Sequence, residues 1–76
     1  MSRTHLYRKI KHYLSSSFTE ILTTMRIDLA KELLHNSSLN ISEIAYQVGF
    51  RDPSYFVRVF RKQTGKTPRF YRTGRE

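Results

Sequence analysis

Five side chains between Ser54 and Lys62 are spaced to meet an anionic or hydrogen-bonding surface. Ser54, Tyr55, Arg58, Arg61 and Lys62 fall away from Phe56, Val59 and Phe60 in a segment with helical periodicity. The apolar side chains go to a core, and the hydroxyls and cations go elsewhere. Hydroxyls, guanidiniums and ammoniums of this kind donate hydrogen bonds, and the cations hold their charge at neutral pH. That chemistry binds phosphates or base edges. It does not by itself move protons. Ser15, Ser16 and Ser17 have no base positioned beside them, so nucleophilic catalysis finds no support. His5, His12 and His35 are too scattered for a metal site and read as surface or packing residues. Neither a metal nor a cofactor is expected, and the chain is not expected to be an enzyme.

The elements that must position these groups are written around them. From Asn40 the chain reads NISEIAYQVGFRDPSYFVRVFRK to Lys62. Ile41, Ile44, Ala45 and Val48 recur at helical spacing, so the segment has one apolar face. Asn40 and Glu43 stand three apart as a capping pair, with Leu39 and Ile44 flanking them as a hydrophobic staple. Gly49 ends that helix where a left-handed residue costs least. Asp52 and Pro53 then supply an N-cap and a first-turn proline for the next helix. Two short helices joined by a tight turn describe a helix-turn-helix, whose second helix enters the DNA major groove.

Whole-chain properties agree. Seventy-six residues form one small domain with a marginal core. Fourteen Lys and Arg against six acids give a formal charge of +8, more than solubility requires. Such a chain seeks polyanions, either nucleic acid or an anionic membrane surface. The absence of cysteine excludes a disulfide framework and a cysteine-ligated zinc site. No run has the length of a membrane span or the apolar core of a signal peptide, so the protein is expected to be soluble and intracellular. Three glycines and two prolines punctuate the sequence, and no alternating strand pattern persists.

Upstream, a first helix is expected from a Ser2 N-cap to about Leu14, with Leu6, Ile10, Tyr13 and Leu14 on one side. Ser15–Ser17 should break it. Ser17 and Glu20 form a second capping box, opening a long helix from Phe18 to about His35. Phe18, Ile21, Leu22, Met25, Leu29 and Leu33 cover one arc of that helix, and Ile27, Ala30 and Leu34 spread toward another. Glu20, Thr24, Asp28, Lys31 and His35 form the wet sector. A helix this broadly apolar packs on two sides and joins two structural units. Arg26 lies inside the apolar arc, where a charge needs a partner; Asp52 or a cluster of backbone carbonyls is expected, in a structural role rather than a DNA contact. Thr67-Pro68 starts a last short helix that ends near Tyr71.

Three segments carry a family resemblance: SRTHLYRKIK at Ser2–Lys11, RIDLAKELL at Arg26–Leu34, and ISEIAYQVGFRDPSYFVRVFRKQTGKTPRFYR at Ile41–Arg72. Together they resemble the C-terminal DNA-binding region of the AraC-type (arabinose-regulator/XylS) family of bacterial transcription regulators. The resemblance implies an all-α, homeodomain-like fold of two helix-turn-helix units bridged by a long helix. One unit would be complete, and only the recognition helix of the preceding unit would be present. Residues 1–16 would be that recognition helix, 17–36 the linker helix, and 37–76 the second unit with its short C-terminal helix. About two helices that precede the first recognition helix in the family are absent here. Leu6, Ile10 and Leu14 should then have few intramolecular neighbours, which makes self-association through that helix an expectation. Ser15 stands where the family usually has glycine, and Ile21 near a usual aromatic. The family's signal-receiving region does not lie within these 76 residues.

The same resemblance places Ser54, Tyr55 and Arg58 at base-contacting positions, and Thr4, Tyr7 and Arg8 at the corresponding positions of the first unit. An arginine that reaches a guanine edge with both nitrogens discriminates by about 1–3 kcal/mol; the plainer alternative is that Arg58 touches only phosphate. Tyr55 either packs on a thymine methyl or covers the domain edge. Arg3, Lys9, Lys11, Arg61, Lys62 and Lys66 are phosphate contacts or solvated charge, and the helix start at Asn40–Ser42 offers backbone amides to a phosphate. The leading reading is sequence-specific binding of double-stranded DNA as the output domain of a cytoplasmic bacterial regulator, with an activator expected although the sequence itself does not decide between activator and repressor. The alternative is an interaction module that docks RNA polymerase or an upstream domain. A basic membrane-binding helix is disfavoured, because caps and glycine turns belong to a packed globule.

Overall fold

Four helices make up the secondary structure of the described residues in the computed structural model. It describes the backbone of residues 3–75, and the side chains of Leu14 and residues 16–75. The helices are α1 (Arg3–Asn36), α2 (Ile41–Gln47), α3 (Pro53–Thr64) and α4 (Pro68–Thr73). The fold is all-α. The helix α1 is a single rod that projects beyond the globule made by its own second half and α2–α4. It accounts for the 55 × 21 × 19 Å dimensions of the molecule.

The expected break at Ser15–Ser17 does not occur, and Ser17 and Glu20 lie inside α1 rather than at its start. The reason is energetic. Each serine costs a few tenths of a kcal/mol relative to alanine in a helix, far less than proline or glycine. A run of three therefore slows propagation without ending it. The proposed Ser2 cap lies outside the described residues.

Local signals set the other boundaries. Asn40 caps α2: its Oδ1 accepts from Glu43 N–H at 2.8 Å, and Glu43 Oε1 accepts from Asn40 N–H at 2.9 Å. This reciprocal pair is the capping box. At the far end Phe50 N–H donates to Ala45 O at 2.9 Å and Gly49 N–H to Tyr46 O at 3.1 Å. These two bonds are the Schellman closure, which needs a positive φ at its second-last member. Gly49 supplies it at +106°. Asp52 caps α3 by accepting from Ser54 N–H at 2.9 Å, with Pro53 in the first turn. Thr67 caps α4 in the same way, through Phe70 N–H at 3.1 Å.

The core gathers Ile27, Ala30 and Leu34 from α1, Ile44, Ala45 and Val48 from α2, Phe50 from the turn, and Phe56 and Phe60 from α3. Phe50, Phe56, Phe60 and Tyr71 form a continuous row of rings, with centroids 5.2, 5.8 and 5.4 Å apart. Tilted and edge-on pairs at such spacings add to the area they bury. Leu39 packs on this core beside Ile44 as the staple requires. One of the two apolar arcs on α1 is used in full, and the other contributes Leu33 to the core. Leu14, Phe18, Ile21, Met25 and Leu29 are between 44% and 68% exposed. The expectation of packing on two sides is met in full only on the Ile27–Leu34 side.

Candidate nucleic-acid interface

The helix α3 is anchored by Phe56 and Phe60, both fully buried. With 3.6 residues per turn, burying those two rings sends Ser54, Tyr55, Arg58, Arg61 and Lys62 to the opposite side, and all five are exposed. Sequence spacing and structure agree on this face. Tyr55 and Arg58 are one turn apart, and the Arg58 guanidinium lies 5.6 Å from the centre of the Tyr55 ring. A cation held over a ring in this way loses part of its freedom before any ligand arrives. The α3 N-terminus is rigid too, because Asp52 and Pro53 fix where Ser54 begins. Val59 was read as core and is half-buried; it lines a shallow groove with Tyr55, Arg58 and Lys62.

Lys66 sits beyond α3, with its ammonium 4.8 Å from the Phe70 ring centre. Ser42 is exposed in the first turn of α2. The Glu43 carboxylate bound to Asn40 N–H places a negative charge beside the amides that Ser42 would share with a phosphate. The side chains of Arg3, Thr4, Tyr7, Arg8, Lys9 and Lys11 lie outside the described residues, although the backbone there is part of α1.

A second concavity opens between α1 and the α2–α3 turn. It has a volume of 550 Å³ and is lined by Thr19, Thr23 and Arg26 on one side and by Arg51, Tyr55 and Arg58 on the other. Arg26 has neither of its expected partners. The Asp52 carboxylate is committed to Ser54 N–H, and no hydrogen bond or ion pair to Arg26 is present among the described residues. Its guanidinium lies instead over the Phe50 ring, 5.8 Å from the centre.

The carbonyl cluster exists, but a different arginine fills it. Arg72 donates from Nε to Leu34 O at 2.9 Å, from Nη2 to Ser37 O at 3.1 Å and to Leu33 O at 3.3 Å, and from Nη1 to Leu39 O. These carbonyls belong to the last turn of α1 and the loop after it, where helical acceptors run out of intrahelical partners; Leu33 O also accepts from the Ser37 N–H and hydroxyl. Arg72 is the functional group that sequence reasoning missed. Its only sequence signal was a basic residue at the end of the chain's last helix.

Two short helices held at a capped glycine turn, with a basic outward face on the second, define a helix-turn-helix. The profile of a family described as "Helix-turn-helix domain" matches residues 1–74, and the chain belongs to this AraC-type family of DNA-binding transcription regulators. It is 33% identical over 72 residues to the raffinose operon transcriptional regulatory protein RafR of Pediococcus pentosaceus, covering 95% of this chain and 26% of that protein. It is 48% identical over 56 residues to the transcriptional activator RhaR of Cronobacter sakazakii, covering 74% of this chain and 20% of that one. A histidine kinase P4 of Formosa agariphila shares 41% over 71 residues, 93% of this chain but 5% of the kinase. The chain thus spans about a quarter or less of these relatives. The C-terminal domain of AraT, a response regulator from Geobacillus stearothermophilus, superposes with a TM-score of 0.74 at 41% identity. That match covers 99% of this chain and 62% of that one. No described helix is long and apolar enough to cross a membrane.

Proposed function

We propose that this chain binds double-stranded DNA sequence-specifically by laying α3 in the major groove, as the output domain of a bacterial transcription regulator in the cytoplasm. One observation carries the reading: five donors and cations share the face of α3 opposite two fully buried phenylalanines, on a helix capped at a fixed point. Ser54, Tyr55 and Arg58, nearest the N-terminal end, contact base edges. Arg61, Lys62 and Lys66, with the Ser42 amide, contact phosphates and set the register. Thr4, Tyr7 and Arg8 serve a second groove from the N-terminal part of α1, with Arg3, Lys9 and Lys11 on its backbone. On this reading 1–16, 17–36 and 37–76 are functional divisions of the chain, the first two within one helix.

Selection of bound duplexes from a random pool tests the proposal. A recovered consensus, bound more tightly than a scrambled duplex at matched salt, supports it; equal retention of all sequences opposes it. A second surface is available on α1, where Glu20, Thr24, Asp28 and His35 are exposed, and RNA polymerase or an upstream domain would dock there. Dispensable Arg58 together with an essential α1 sector would favour that role over base reading.

A further inference from the structure

We propose that Arg26 and Arg51 hold a DNA backbone phosphate in the cleft between α1 and the α2–α3 turn. The inference rests on the DNA-binding reading and adds a contact from residues 17–36 of α1, a stretch from which that reading takes no DNA contact. Arg26 is the central observation. It is half-buried on the inner side of α1, where a charge normally needs an acceptor. Among the described residues it has none.

Two features hold the guanidinium in this place. The Phe50 ring lies beneath it, at 5.8 Å from centroid to Cζ. Gly49 leaves room beside it, since a Cβ at that position would sit 3.0 Å from Nε and 3.3 Å from Nη2. A guanidinium held over a ring without an acceptor keeps its N–H donors for an oxyanion, and phosphate matches the spacing of a guanidinium edge.

The surroundings suit an anion. Arg51 and Arg58 line the same 550 Å³ cleft, with the Thr19 and Thr23 side chains on the opposite wall. Asp52 also lines it and opposes an anion, but its carboxylate is bound to the Ser54 N–H. Three guanidiniums against one carboxylate leave the cleft cationic. It adjoins Tyr55 and Arg58, so a phosphate seated in it would flank the groove that α3 enters. A phosphodiester of DNA is the assigned ligand, and free phosphate is the competing source of the same chemistry.

The test uses the 76-residue chain and two variants. Arg26→Met keeps an unbranched stem over Phe50 and removes the charge, and Arg51→Gln changes an exposed residue. Each should lower affinity about tenfold or more for specific and scrambled duplexes alike. Each should also reduce the slope of log affinity against log salt by about one, with the preference between duplexes unchanged. A purely structural Arg26 would move the melting temperature and leave the salt slope alone, which overturns the proposal. If Arg26→Met does not fold, Arg51→Gln decides alone by the same criteria. The Arg26 Nε–H resonance adds an independent readout. Its shift on adding duplex supports the assignment, whereas a shift with inorganic phosphate but not with duplex overturns DNA as the source. Wild-type chain that binds no duplex defeats the proposed function and this inference together. Wild-type binding with unaffected variants defeats only this inference.

Discussion

Arg72 reaches across 38 positions of sequence to Leu34, where its Nε donates to the main-chain carbonyl at 2.9 Å. With the bonds to Leu33, Ser37 and Leu39, one side chain ties α4 to the end of α1. Removing it takes a donor from the Leu34, Ser37 and Leu39 carbonyls, whereas Leu33 O keeps the Ser37 N–H and hydroxyl. Arg72→Leu should destabilise the domain by about 2–3 kcal/mol, the range for hydrogen bonds to a charged group. Arg72→Lys should recover little, because one ammonium cannot span four acceptors. Urea unfolding followed by circular dichroism measures both; equal stability of Arg72→Leu and wild type would remove the clamp from the account of the fold.

Arg58 and Lys62 separate specificity from affinity. Arg58→Ala should cost roughly 1–3 kcal/mol and relax preference at one base position, because Arg58 stands beside Ser54 and Tyr55. Lys62→Ala should weaken binding about equally on all duplexes. Competition assays with selected and scrambled duplexes at several salt concentrations check this. An equal loss on both duplexes for Arg58→Ala makes Arg58 a phosphate contact and moves the reading face elsewhere.

Gly49 and Gly65 have positive φ, +106° and +82°, but different surroundings. A methyl group at Gly65 meets nothing within 4 Å, whereas at Gly49 it meets the Arg26 guanidinium. Gly65→Ala should therefore cost about 1 kcal/mol from backbone conformation alone. Gly49→Ala should cost more, and part of the excess should vanish when Arg26 is also truncated. A double-mutant cycle by thermal unfolding reads that coupling directly; additive costs would mean that the crowding at Arg26 is relieved freely.

The exposed row of Leu14, Phe18, Ile21, Met25 and Leu29 should make this chain associate with itself. Sedimentation should show mass rising with concentration, and Phe18→Glu with Met25→Glu should return it to a monomer without changing its helicity. Such pairing reports uncovered apolar surface rather than a biological dimer. A wild-type chain that stays monomeric at high concentration contradicts the expectation.

Signals that act over three to six residues were legible in the sequence. The Asn40–Glu43 box, the Gly49 closure and the Asp52-Pro53 start all stand where spacing placed them, and with them the outward face of α3. Ser17 and Glu20 have the same capping spacing, yet they sit in a helix interior. A cap motif becomes a cap only if the preceding residues leave the helix, and three serines do not enforce that. Periodicity showed two apolar arcs on α1 but carried no information about which one has a neighbour. The exchange of roles between Arg26 and Arg72 was illegible for a related reason. Both are single basic residues near apolar positions, and only the tertiary fold brings the α1 carbonyls to one of them.

The unbroken α1 acts as a shaft. Whatever its N-terminal end touches is fixed in rotation and height relative to α3, at about 100° and 1.5 Å per intervening residue. One residue inserted between Ser17 and Thr23 would turn the two ends out of phase, while four would nearly restore their angle at a cost of about 6 Å in separation. The spacing of two contact points along a duplex is therefore set by the residue count of a helix, not by the slack of a loop.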